Sequence, residues 1–220
     1  MTSELEQRIR RVLDERSLLE HPFFKGWAQG SLGVEQLREY ARQYYHFELA
    51  FPRFLSAIHT RTESDHVRQL LLDNLWDEEH GERNHPALWL EFAAALGLRK
   101  DDVVNSTPNA ETSALIEHFR QVSQNAPVGE ALATLFAFEG QVPAMAWQTI
   151  KGLSDHYGFR PEQFEFFSVH LVSDISHSGA EVEAIQETAT DADAILAATE
   201  TASSKLLEFL DGCYASSGVH

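Results

Sequence analysis

HLVSDISH, residues 170–177, sets His170, Asp174 and His177 at positions i, i+4 and i+7. On an α-helix each residue advances about 100°, so the two histidines point within about 20° of each other and Asp174 within about 60° of both. The surrounding residues Phe166, Phe167, Val169, Leu171 and Ile175 are apolar. A polar stripe in that setting is expensive unless it is satisfied, by a metal ion or by a hydrogen-bonded core network.

The helical reading extends outward in both directions. Apolar positions recur with a 3.6-residue period at Leu5, Ile9, Val12 and Leu13. The pattern predicts helices over 3–20, 21–27, 34–59, 64–80, 86–96, 111–124, 128–157, 162–178 and within 181–213. Pro52 is expected to bend the helix that contains it, and Gly81 to interrupt the chain after residue 80. In the loop DDVVNSTPNAE, 101–111, Thr107 and Asn109 are candidate caps. No stretch alternates β-branched residues at period two, and the connections are short. These features predict an all-α bundle forming one domain over 1–220.

Composition narrows the function. The chain has 220 residues, 43% of them apolar, which is ample for a buried core. Its 17 Lys and Arg face 34 Asp and Glu, a net charge of −17 that disfavours nucleic acid and anionic membranes as partners. From Pro161 to Ser204 there are acids but no Lys or Arg, which reads as a solvated acidic face. Cys213 is the single cysteine, so neither an intrachain disulfide nor a thiolate metal site is expected. No run of signal-peptide or membrane-span character is found, and a cytoplasmic location is expected.

Two further stretches carry chemistry. NLWDEEHGERNHP, 74–86, offers Glu78, Glu79, His80, Glu82 and His85. Glu78 and His85 are seven apart, read as two turns on one face, while Glu82 and His85 form an alternative E-x-x-H pair. Glu79 and His80 read as an outer face. In ALATLFAFEGQVPAMAW, 131–147, Glu139 is the lone acid of an apolar helix. Such a carboxylate is paired, liganding or protonated. Pro143, four residues on, cannot donate to the carbonyl of residue 139, so the helix should loosen there, as a site or a curvature device would require. Three imidazoles and three carboxylates from separate helices suit iron or manganese better than zinc or calcium, and shared between two ions they leave open positions. A ferritin-like alternative uses Glu48, Glu82 with His85, Glu139, and Asp174 with His177. It gives His170 and Glu78 no role and ranks second.

The stretches YYHFELAFPRFLSAIHTR (44–61), NLWDEEHGERNHPALWLEFAAALG (74–97), FAFEGQVP (136–143) and HLVSDISH resemble the haem-oxygenase-like di-iron oxygenases. The nearest resemblance is to the 4-aminobenzoate-forming branch of the chlamydial death-domain-associating protein. Pyrroloquinoline-quinone synthase C and the TenA proteins are similar at greater distance. The resemblance implies a TenA/PqqC-like bundle of about seven to eight helices, generally a homodimer. It implies two iron ions (Fe2+/Fe3+), or a manganese–iron pair, held by Glu78, His85, Glu139, His170, Asp174 and His177. It also implies O2 as co-substrate, a small organic substrate and an electron donor. In the aminobenzoate branch a tyrosine of the protein is the aromatic precursor and a lysine provides nitrogen. Phe24 and Thr149 stand at the matching positions here, with Lys151 two residues further on. Tyr40, Tyr44, Tyr45 and Lys151 are the candidate redox, proton-relay or amine groups. The alternatives are a metal-free oxidase of the quinone-synthase kind and a non-catalytic binding protein of the same fold.

Overall fold

The computed structural model describes residues 3–215, apart from the side chains of 172–178. Among the described residues the chain forms eleven α-helices, two short 3-10 turns and no strand. The helices are α1 Glu4–Glu15, α2 Pro22–Ala28, α3 Val34–Arg61, α4 Asp65–Glu79, α5 His85–Ala95 and α6 Lys100–Val104, followed by α7 Ala110–Asn125, α8 Val128–Glu139, α9 Val142–His156, α10 Glu165–Thr188 and α11 Ala192–Ala215. Short polar side chains begin several of them. Ser3 Oγ accepts from Glu6 N at 3.1 Å, Ser64 Oγ from Val67 N at 3.2 Å, and Asn84 Oδ1 from Ala87 N at 3.2 Å. Each satisfies a backbone donor that has no partner within the helix. Of the two cap candidates in 101–111, Asn109 caps α7, accepting from Thr112 N at 2.7 Å. Thr107 instead offers its carbonyl to Gln43 Nε2 at 3.2 Å.

The expected seven to eight helices are too few. Helix α6 overlaps the start of the stretch read as a loop, and α10 continues through Gly179 as far as Thr188. The segment 128–157 divides at Gly140–Gln141 into α8 and α9. A Cβ at Gly140 would stand 2.8 Å from Phe136 O and 2.9 Å from Phe136 Cζ, so glycine allows this close turn. Pro143 then occupies the first turn of α9, where a missing N–H breaks no helical bond.

Helix α8 is buried on every side, from Ala131 to Glu139. It packs against α7, α10 and α11, which explains why it has no polar face. Around it α3 packs on α4, α5 and α7, and α10 packs on α4, α5, α8 and α9. The inner faces of α3, α4, α5, α8 and α10 therefore enclose one interior region. Aromatic rings line its wall: Tyr44 and Trp89 have centroids 4.3 Å apart, and Trp89 and Phe166 4.7 Å. The Trp89 indole is anchored by donation from Nε1 to Ala41 O at 2.8 Å. No described helix is long and apolar enough to cross a membrane.

Candidate metal centre

Four ionisable side chains, Glu48, Glu78, His85 and His170, come together inside that wall, and a fifth, Glu139, is buried on α8. Their residues are almost wholly buried: Glu48 3% exposed, Glu78 6%, His85 4%, Glu139 3% and His170 5%. One ligand-type atom from each of Glu48, His85 and His170 lies within 4.8 Å of the others. His85 Nδ1 is 2.9 Å from Glu78 Oε2 and 4.0 Å from Glu48 Oε1. The two imidazole rings are 4.3 Å apart, centroid to centroid. His170 Nδ1 is 2.8 Å from Phe166 O. A carbonyl can only accept, so Nδ1 carries the proton and Nε2 keeps its lone pair. Glu139 stands one step to the side, where Asn74 Nδ2 donates at 3.1 Å to each carboxylate oxygen.

Local structure explains how the chain delivers these groups. Glu78 and His85 do not share a helix as their spacing suggested. Glu78 is in the last turn of α4 and His85 is the first residue of α5. The link between them turns at Gly81, φ +87°, in the left-handed region that favours glycine. Glu82, on that link, is exposed, so the alternative E-x-x-H pair is not formed. Glu79 and His80 are also exposed, as expected of an outer face. On α3, Pro52 lies four residues after Glu48, just as Pro143 lies four after Glu139. Inside α3 it removes the N–H that would bond the Glu48 carbonyl.

The donor set fits a divalent first-row metal. Among the described residues no Lys or Arg is buried. Glu78 and Glu139 sit at helix C-termini, where backbone carbonyls add negative potential to that of the carboxylates. Carboxylates gathered in this way are stabilised by a cation, and mixed imidazole and carboxylate ligands suit iron or manganese.

The other predicted residues divide clearly. Asp174 and His177 lie outside the described residues. Tyr40 and Tyr44 line a cavity of about 20 Å³ beside His170, together with Phe24, Trp89 and Thr149. Tyr44 is hydrogen-bonded to Glu48. Burial, then the nearby Glu48 carboxylate, holds its phenol well above the usual value of 10.0. Burial, helped by Cys213 and Glu48, does the same to Tyr40. Tyr45 is buried away from this cavity, with its ring against His46. Lys151 is not at the cavity; it is exposed on α9 and paired with Asp155. Glu48 was placed only in the second-ranked ligand set, and Asn74 was not singled out. The repeated E-x-x-x-P pattern, ELAFP at 48–52 and EGQVP at 139–143, is the sequence signal that links Glu48 to Glu139.

A sequence profile described as "Iron-containing redox enzyme" matches residues 38–205, most of the chain and all five of these buried residues. The chain belongs to this family of iron-containing redox enzymes. The chain is similar to the 4-aminobenzoate synthase of Nitrosomonas europaea, 43% identical over 97% of this chain and 92% of that protein. The 4-aminobenzoate synthase of Chlamydia muridarum is 36% identical over 93% of this chain and 87% of its own. A crystal structure of a TenA homologue from Pseudomonas syringae superposes with a TM-score of 0.85 at 17% identity, covering 96% of this chain and 93% of that one. That similarity establishes the haem-oxygenase-like fold.

Proposed function

We propose that the chain is an O2-dependent non-haem di-iron enzyme whose product is 4-aminobenzoate. The convergence of buried carboxylates and imidazoles at Glu48, Glu78, His85 and His170, with the buried Glu139 carboxylate held by Asn74 from the same helix as Glu78, carries this reading. Glu48, Glu78, Glu139, His85 and His170, with Asp174 and His177 from the α10 stripe, would hold the ions. When bound, ferrous iron would supply the electrons that activate O2. The chain's own part is to bind and exclude. His170 offers Nε2 because its Nδ1 proton is held by Phe166 O. The Tyr44 hydroxyl orients Glu48 and keeps a proton at the edge of the cavity. Phe166, Trp89 and Phe138 shield the cluster from water. The product assignment comes from the aminobenzoate-forming relatives.

The size of the cavity favours one form of this chemistry. At about 20 Å³ it has room for a molecule the size of water. A benzene-sized ligand needs on the order of 150 Å³. An aromatic ring already present in the wall meets that limit. Phe24 and Thr149, which match the precursor tyrosine and the nitrogen-donating lysine of the resembling branch, both line this cavity. They lack the phenol and the amine, leaving Tyr40 and Tyr44 as the phenols of the wall, and with Lys151 at the surface the amino nitrogen would come from an amine co-substrate.

The test is aerobic incubation of the Fe(II)-loaded chain with a reductant and an amine donor (ammonium or free lysine), with mass spectrometry of the small molecules and of the intact protein. The expected result is 4-aminobenzoate with a matching loss of protein mass. Formation of 4-aminobenzoate without a mass change would assign the ring to a small-molecule substrate. Oxygen consumption without 4-aminobenzoate would overturn the product assignment.

A further inference from the structure

One more buried carboxylate lies on the stripe that carries His170. Glu181 of α10 is 7% exposed. It follows His170 by eleven residues, which is about three turns, roughly 16 Å along the helix and about 20° from the same face. It is therefore too distant to join the His85–His170 cluster, but it is level with α4 around Asn74. Glu181 and Asn74 together line a cavity of about 20 Å³ walled by Leu70, Leu71, Leu132 and Ala184.

Asn74 gives that cavity its meaning. Its Nδ2 is committed to both oxygens of Glu139. Its Oδ1 is buried and has no hydrogen-bond partner among the described residues. Buried amide oxygens are nearly always satisfied, by protein or by ordered water. A single water needs roughly 10–15 Å³ and two or more polar neighbours. This cavity meets both requirements, with Asn74 Oδ1 and the Glu181 carboxylate as acceptors for the two water protons.

We propose that Glu181 is a positioning residue for the metal centre. Through one buried water it fixes the Asn74 amide, and the amide fixes Glu139. The role of Glu139 in this inference rests on the di-iron reading. The geometry has a definite consequence for the amide. With the water in place, Oδ1 is held toward Glu181 and Nδ2 toward Glu139. Without it the amide is held on one side only, by its donation to Glu139, and its buried oxygen is left without a donor, so the amide is less firmly fixed. Outer partners of this kind orient ligands and tune the metal they hold.

Two measurements on the full chain test this, using Glu181→Met, close in shape but unable to accept from the water, and Glu181→Gln, which keeps an acceptor. The first is hydrogen exchange of the Asn74 side-chain amide protons, followed by NMR in metal-free protein. Exchange is expected to be about 10-fold faster in Glu181→Met than in the parent, with Glu181→Gln close to the parent. The second is Co(II) titration followed by visible absorption, in which Glu181→Met should weaken binding by about 10–100-fold and Glu181→Gln should largely restore it. If Glu181→Met fails to fold, Glu181→Ala replaces it in both. Parent-like Asn74 exchange in the apolar variant overturns the proposal. If the parent itself binds no Co(II), the metal reading fails, and the exchange result alone decides whether Glu181 holds Asn74.

Discussion

Helix α3 buries two polar side chains five residues apart, and they are satisfied in opposite ways. Gln43 is neutral and fully used. Its Nε2 donates to Thr107 O at 3.2 Å and to Glu39 Oε1 at 2.9 Å. Its Oε1 accepts from Asn109 N at 2.9 Å and from Thr112 Oγ1 at 2.8 Å. This one amide ties the turn before α7 to α3. Glu48 instead faces other acids and two imidazoles, with no buried Lys or Arg among the described residues. The first arrangement completes itself and serves the fold. The second gathers negative charge that the fold does not require, and it is understandable as a place for a cation.

Substitutions should separate the two. The largest effect is expected at the cluster: Glu48→Gln or His85→Ala should weaken iron binding by at least about 100-fold, read by anaerobic Fe(II) titration. The metal-free form of Glu48→Gln should lose no stability, and could gain about 1 kcal/mol, because like charges are relieved. Unchanged iron affinity would place Glu48 with Gln43 as a structural group. Next in size, Gln43→Leu leaves the half-buried Asn109 N–H and the buried Thr112 hydroxyl without their acceptor. It should cost about 2–3 kcal/mol in urea unfolding while leaving iron content unaltered.

The pH dependence sharpens the contrast between the interior and solvent. Tyr40 keeps its proton in the fold at a pH where a free phenol, with a pKa of about 10, loses it. Above that pH the unfolded chain binds fewer protons than the folded one, so stability must fall as pH rises. Its contribution is fully present below about pH 10 and is lost above it. Unfolding free energies at pH 9 and pH 11 should show this fall, and Tyr40→Phe should make it shallower. The smallest effect is expected at Arg83, which bridges Glu91 and Glu165 on the surface. Exposed pairs of this kind contribute little, so Arg83→Ala should leave both the Tm and iron content within error.

Helical periodicity made the all-α bundle legible from HLVSDISH and its neighbours, and the apolar run around Glu139 marked the central helix. Two features were hidden from it. The division at Gly140 depends on how close Phe136 comes, a tertiary fact that periodicity does not contain. The E-x6-H spacing looked like two turns of one helix. It is a helix end and a helix start brought to 2.9 Å by an intervening turn. Glu48 was hard to rank because its partners, His85 and His170, are remote in sequence. Asn74 was hard to see because an amide gives no charge signal. Lys151 was suggested by position alone, and the orientation of α9 sends it to solvent beside Asp155.

The most direct test of the account is the iron content of the chain after anaerobic Fe(II) loading and desalting, alongside Glu48→Gln and His85→Ala. The account predicts about two iron ions per parent chain and a clear loss in both variants. A parent chain that retains no iron, or variants that retain as much as the parent, would contradict it.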